Sequence, residues 1–244
     1  GGALLSKEMG ISLPVFLCAY LMVIRRQSRK EWYTLIPYGV MLVGYLFLRL
    51  TVLNITNAPV SEYASGSHLG VVPLTIARIT STYARLFVFP FDLHMERDIP
   101  FVSSWLDYRG WGSLATLICI ASLLVFFAHR MPAVRFGALW FGIAYLPVSN
   151  IFPLHIAIAE HYMYLPSIGI FICGAAFLCA GMHTPGRALQ RRIKVLVMFL
   201  LISLGGVTLA RTQEWHDPLT VYFSTIRYAH ASYRAHNNIG VEYF

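Results

Sequence analysis

The chain has 244 residues, of which 57% are hydrophobic and only 12% charged, with a formal net charge of +8. Together with a mean hydropathy of +0.60, this excludes an ordinary soluble domain and makes a bilayer the natural solvent. The positive residues cluster in short loops between apolar runs, and no basic stripe interleaved with aromatics stands out, so nucleic acid is excluded as a partner.

A membrane crossing needs about 20 mostly apolar residues. Six runs approach that length: 9–24, 33–50, 111–129, 136–152, 161–182 and 193–210. Arg25, Arg26, Arg29 and Lys30 follow the first, Arg130 and Arg135 the third, and Arg187, Arg191, Arg192 and Lys194 the fifth. By the positive-inside rule these loops are cytoplasmic. Segment 73–90 is apolar but carries Arg78 and Arg85. If it crossed, the loop at 130–135 would fall outside, so parity predicts that it lies flat in the outer interface or re-enters. The stretch 51–110 then forms one outer loop. Pro147, Pro153 and Pro166 bracket a second irregular zone on the same side, a candidate cavity wall, because non-helical backbone at membrane depth needs protein or water to satisfy it.

After residue 210 the chain turns polar. Asp217-Pro218 is a helix start, with Asp as N-cap and Pro in the first turn, and a second helix begins near Ser232. By parity this tail is extracytoplasmic. Two regions follow: a polytopic membrane domain over 1–210 and an extracytoplasmic helical segment over 211–244. Cys18, Cys119, Cys173 and Cys179 lie inside apolar runs without CxxC spacing and read as packing residues. The chain opens Gly1-Gly2-Ala3 and closes Tyr243-Phe244, so both ends read as cut and no targeting signal is legible.

Four pieces of sequence fall on one topological side: Ser6-Lys7-Glu8, the run from Ala159-Glu160-His161 to Tyr164-Leu165-Pro166-Ser167, Arg211-Thr212-Gln213-Glu214-Trp215-His216-Asp217, and Asn238-Ile239-Gly240-Val241-Glu242-Tyr243. In this order they resemble the transmembrane-and-TPR O-mannosyltransferase-like proteins of the GT-C superfamily. The resemblance implies a membrane bundle followed by TPR repeats, and transfer of a sugar from a polyprenyl-phosphate donor to an acceptor on the outer face. It also implies that the catalytic carboxylate lies in a first outer loop preceding Gly1, leaving a fragment without that loop and without most of the repeats. Where the family often has Glu-Arg, this chain has Glu160-His161. A histidine grips phosphate only when protonated. Independently, a TPR's first helix needs a small residue at its close crossing with large residues around it, and Ile239, Gly240 and Tyr243 fit.

The fold class expected is therefore an all-α integral membrane protein of about six transmembrane helices plus an outer interfacial helix, followed by the start of a TPR. Candidate residues for binding substrate or lipid phosphate are Arg78, Arg85, Glu160, His161, Tyr164, Lys7 and Glu8. Arg78 and Arg85 are two helical turns apart and share a face. They serve either to meet an anionic headgroup or to anchor the helix by snorkelling. Glu160 carries a charge whose depth calls for a function or a partner. No cofactor is evident. A divalent metal stays open, weakly, through Asp92, Glu96, Asp98 and Asp107 in the outer loop. Expected partners are a lipid-linked sugar donor, membrane lipids, and proteins or an acceptor reached through the repeats. Compact loops favour a bacterial inner membrane over the endoplasmic reticulum. Two other functions compete: a non-catalytic membrane anchor for a TPR scaffold, and a transporter, which proline-broken helices permit but outer-lip charges disfavour.

Overall fold

A computed structural model describes residues 12–21, 33–51, 71–97, 102, 104–151, 158–230 and 232–244. In chain order the helices are α1 (Ser12–Tyr20), α2 (Ile36–Thr51), α3 (Val72–Val88), α4 (Tyr108–Arg130), α5 (Pro132–Tyr145), α6 (Tyr164–His183), α7 (Arg187–Glu214), α8 (Pro218–Tyr228) and α9 (Tyr233–Tyr243). Short 3-10 turns at Leu146–Val148 and Glu160–Met163 close α5 and lead into α6. Among the described residues there is no strand.

Among the described residues three helices are long and apolar enough to cross a bilayer: Tyr108–Arg130, Glu160–His183 and Arg187–Glu214. The expectation of six is therefore corrected. The run at 9–24 lies partly outside the described residues, and its described helix has 9 residues. The run at 33–50 gives 16 helical residues, and the run at 136–152 contributes to a helix of only 14. Apolarity marks burial away from water but does not set helix length. Pro147 tightens the end of α5 into a 3-10 turn, and the chain then bends at Ser149 and Asn150.

The long helices alternate in direction. Met131 alone separates α4 from α5, with Pro132 opening the second helix, so the two fold back on each other. Helices α5 and α6 run antiparallel: Cys173 Sγ lies 3.5 Å from Val134 O, and Trp140 Nε1 donates to Leu165 O at 3.0 Å. Their closest approach is Gly137 against Gly169. A Cβ at Gly169 would stand 2.4 Å from Gly137 O, so only hydrogen at both positions permits this crossing. Gly186, with φ of 145°, supplies the left-handed residue of the short α6–α7 link.

Helix α3 is tied to the bundle near the heads of α4 and α6. It starts beside the head of α4, where Leu74 borders Gly110 and Val102 N donates to Thr75 Oγ1 at 3.2 Å. The chain that follows it returns to Glu160 at the head of α6. Those two heads lie at one end of the bundle, so the start of α3 and the chain that follows it are held at the same end. Its inner face, Ile79, Tyr83 and Leu86, packs with Tyr145, Val148, Ile158 and Met163 as the main core.

The tail folds as its end signals predict. Asp217 Oδ2 accepts from Thr220 N at 3.1 Å at the start of α8, and Ser232 Oγ caps α9 by accepting from Ala235 N at 3.2 Å. Val221, Thr225 and Ala235 are the residues buried on α8 and α9, and a Cβ at Gly240 would meet nothing within 4 Å among the described residues.

Candidate functional site

The end of the bundle at the head of α6 gathers charge around Glu160. Tyr83 positions it: its hydroxyl donates to Ala159 O and accepts from Ala159 N, each at 3.1 Å, which fixes the backbone one residue before the carboxylate. Glu160 Oε1 then accepts the backbone N–H of His94 at 2.7 Å and faces Arg97 Nη2 at 3.4 Å. Arg97, with its side chain only 7% exposed, also bonds Asp92 Oδ2 at 3.1 Å and the Asp92 carbonyl. Asp92 in turn binds Arg85 at 3.1 Å. The result is an alternating chain, Arg85–Asp92–Arg97–Glu160, in which each carboxylate borders a guanidinium.

Partial burial works against the Asp92 charge, yet the hydrogen bonds and charges of Arg85 and Arg97 hold its carboxyl below the usual value of 3.8. Burial, followed by the Arg97 charge, pushes the His94 imidazole below 6.5, while its bond to the Asp92 carbonyl opposes the shift. Arg211, at the end of α7, is close enough for its charge to act on both His94 and Glu160. Arg97 Nε and Arg211 Nη2 are buried and have no hydrogen-bond partner among the described residues. Unpaired buried donors of this kind are costly and suit an anionic acceptor.

Next to Glu160 lies a pocket of about 550 Å³ lined by His161, Tyr164, Ser167, Phe87, Met163 and Phe171. Beneath it, between α3, α4, α5 and α6, is an almost wholly apolar cavity of about 260 Å³. Phe87 and Met163 border both. A polar head and an apolar tail on one ligand would match this arrangement.

The residues singled out from the sequence fare unevenly. Glu160, His161 and Tyr164 line one pocket, and Arg85 reaches Glu160 through Asp92 and Arg97. Arg78 is drawn elsewhere, pairing with Asp107 at 3.5 Å at the head of α4, so the two arginines do not converge on one anion. Lys7 and Glu8, and Asp98 of the outer-loop carboxylates, lie outside the described residues. Glu96 pairs with Arg234 at 3.4 Å and with Ser232, and no group of three or more metal-ligating side chains occurs among the described residues.

Comparison with known proteins decides the resemblance. Across 97% of its length the chain is 25% identical to protein O-mannosyl-transferase F38B6.6 of Caenorhabditis elegans. The chain is a relative of the protein O-mannosyl-transferases. It is also 24% identical over 58% of its length to mouse protein O-mannosyl-transferase TMTC3, and 28% identical over 58% to human TMTC4. It spans 34% of the worm O-mannosyl-transferase and 16% and 20% of the mouse and human ones. No family model and no solved structure matches.

Sequence reasoning did not single out as site candidates the residues that surround Glu160 here: Tyr83, His94, Arg97 and Arg211. A signal existed in FDLHMER at 91–97, where acid, imidazole and guanidinium alternate directly after α3. Asp92, at φ 53°, is one of two non-glycine residues with positive φ among those described, and Asn150 at φ 60° is the other. Such backbone clusters at functional positions.

Proposed function

We propose that this chain forms part of a membrane glycosyltransferase that moves a sugar from a polyprenyl-phosphate donor to an acceptor hydroxyl on the non-cytoplasmic face. One observation carries the reading: an arginine-flanked carboxylate, Glu160, lines with His161 and Ser167 an otherwise mainly apolar pocket that abuts an apolar cavity, at one end of the bundle. The names of the relatives agree with sugar transfer. In this proposal Arg97 and Arg211 hold the donor phosphate, Glu160 orients them, and His161 and Tyr164 face the sugar. The carboxylate that activates the acceptor precedes Gly1, as the resemblance implies. The bacterial membrane expected from compact loops draws no support from these animal relatives, so the proposal is confined to the face that carries the tail.

The test is transfer by the natural protein containing this chain, in nanodiscs, from a polyprenyl-phosphate mannose to a serine- and threonine-bearing peptide. Arg97→Ala and Glu160→Gln should each lower the rate tenfold or more while folded yield is kept. Undiminished transfer by both would sink the role given to this site.

A second reading has its own support. Loop 92–97 touches the tail as well as the site: the His94 ring stacks on Tyr228 at 4.8 Å, and Glu96 pairs with Ser232 and Arg234. A bundle built to hold a helical scaffold for protein partners would also show these contacts. In that case the same two variants change partner capture by the tail and not transfer.

A further inference from the structure

Loop 92–97 has no helix or strand of its own, and two separate bodies hold it. On the bundle side the His94 N–H and Arg97 Nη2 both reach Glu160 Oε1. On the tail side the buried His94 ring stacks on Tyr228, the last residue of α8, with the two rings 15° from parallel. Glu96 Oε1 pairs with Arg234 Nε at 3.4 Å, and its other oxygen accepts from the hydroxyl of Ser232, the N-cap of α9. Neighbours in sequence thus face opposite ways: Glu96 is turned to the tail and Arg97 to Glu160. His94 does both, by its backbone on one side and its ring on the other.

Ser232 and Glu160 share no partner among the described residues, and changes at such separate positions are normally independent. Here one short loop spans them. Pushing the loop off α9 draws the His94 backbone along with its ring, and Arg97 along with the adjacent Glu96. A contiguous run of contacts of this kind carries coupling between two sites.

We propose that Glu96 and His94 are positioning residues through which the tail completes the Glu160 site: the His94 N–H and Arg97 are held on Glu160 while α8 and α9 are docked on loop 92–97, and are released when the tail departs. The effect on catalysis rests on the sugar-transfer reading given above; the coupling of tail to carboxylate does not.

Ser232 offers a test that leaves the start of α9 intact. Asp, Asn and Ser are about equally good N-caps, so Ser232→Asp and Ser232→Asn both keep the helix capped. An asparagine can donate an N–H to Glu96, whereas an aspartate sets a second carboxylate against it. The measurement, on the natural protein containing this chain in nanodiscs, is hydrogen exchange at the His94 amide, the group bonded to Glu160. The Ala235 amide, bonded to the cap, is the control for local folding. Ser232→Asp should speed exchange at His94 about tenfold with Ala235 kept slow, and should lower sugar transfer about fivefold, while Ser232→Asn should match the unaltered protein in both. Tyr228→Ala attacks the docking through the other helix, at an exposed side chain, and should also speed exchange at His94. If Ala235 speeds up in Ser232→Asp, α9 has frayed and Tyr228→Ala decides. Unchanged exchange at His94 in both variants overturns the proposal. So does an equal rise in Ser232→Asp and Ser232→Asn, which traces the effect to the cap and not to Glu96. Faster exchange with undiminished transfer keeps the coupling and removes the part given to Glu160 in transfer. Lowered transfer with unchanged exchange overturns the coupling and leaves the transferase reading standing.

Discussion

The backbone N–H of His94 reaches Glu160 Oε1 at 2.7 Å, across 66 positions of sequence, and the same carboxylate oxygen faces Arg97 at 3.4 Å. One oxygen thus joins loop 92–97 to the head of α6. Removing either charge takes one partner from the other, leaving Arg97 with Asp92 and Glu160 with the His94 N–H. Glu160 keeps 28% side-chain exposure, so the loss falls below the 3–5 kcal/mol of a fully buried pair. Arg97→Met and Glu160→Gln should each destabilise by about 1–3 kcal/mol. The double variant should lose less than the sum, with a coupling of at least about 0.5 kcal/mol. Thermal unfolding in detergent measures the cycle, and strict additivity would show that the two groups do not interact.

His94 also makes the tail contact sensitive to acid. Its ring is buried against Tyr228 and bonded to the Asp92 carbonyl, with the charges of Arg97 and Arg211 nearby, and its pKa lies below the ordinary 6.5. In the released loop it would titrate near 6.5. Between its depressed value and 6.5 the released form therefore binds more protons than the docked form. Docking is at full strength above pH 6.5 and weakens as the pH falls below it. Hydrogen exchange at residues 219–230 should be slow at pH 7.5 and, after correction for intrinsic rates, less protected at pH 5.5. His94→Phe keeps a ring on Tyr228 and should remove most of that dependence. A pH dependence unchanged in His94→Phe would place the sensor elsewhere.

Tyr83 fixes the backbone beside Glu160 through a single oxygen that both donates and accepts. Tyr83→Phe leaves the ring in the core but strands the buried Ala159 N–H, while the Ala159 carbonyl keeps the N–H of Tyr162 at 3.1 Å. The cost should be about 1–3 kcal/mol. A free-standing Glu160 should also lose its grip on Arg97. If Tyr83 matters only for packing, Tyr83→Phe will match the unaltered protein in stability and in transfer.

Some of this was legible because its causes are local. Asp217 followed by Pro218 starts a helix wherever it occurs, since the carboxylate caps free N–H groups within one turn. The far end of α5 was over-read because an apolar run looks the same whether it spans a membrane or lines a bundle, while the ends of the run at 9–24 lie outside the described residues. Arg97 was invisible for a different reason. Its burial is created by Asp92 and by Glu160, 63 residues away, and an arginine in a polar loop carries no mark of such partners. The parting of Arg78 from Arg85 has the same origin, since helical spacing gives a shared face but not the carboxylates waiting along it.

The crossing of α5 and α6 holds the heads that frame the site, and it depends on two hydrogens. A Cβ at Gly169 would lie 2.4 Å from Gly137 O and 2.7 Å from Phe141 N, both backbone atoms that yield only if a helix moves. Gly174, in the same helix, has nothing within 4 Å of its Cβ position. Helix propensity alone favours alanine at both sites by up to about 1 kcal/mol. Gly169→Ala should nonetheless destabilise by about 1–3 kcal/mol through overpacking. Gly174→Ala should be neutral or slightly stabilising. The opposite signs separate packing from propensity in one thermal unfolding series. Forcing α5 and α6 apart should also widen the apolar cavity that Gly137, Gly169 and Cys173 border, and so speed alkylation of Cys173 in Gly169→Ala but not in Gly174→Ala. Equal midpoints and equal labelling in the two variants would mean that the helices do not approach at this point.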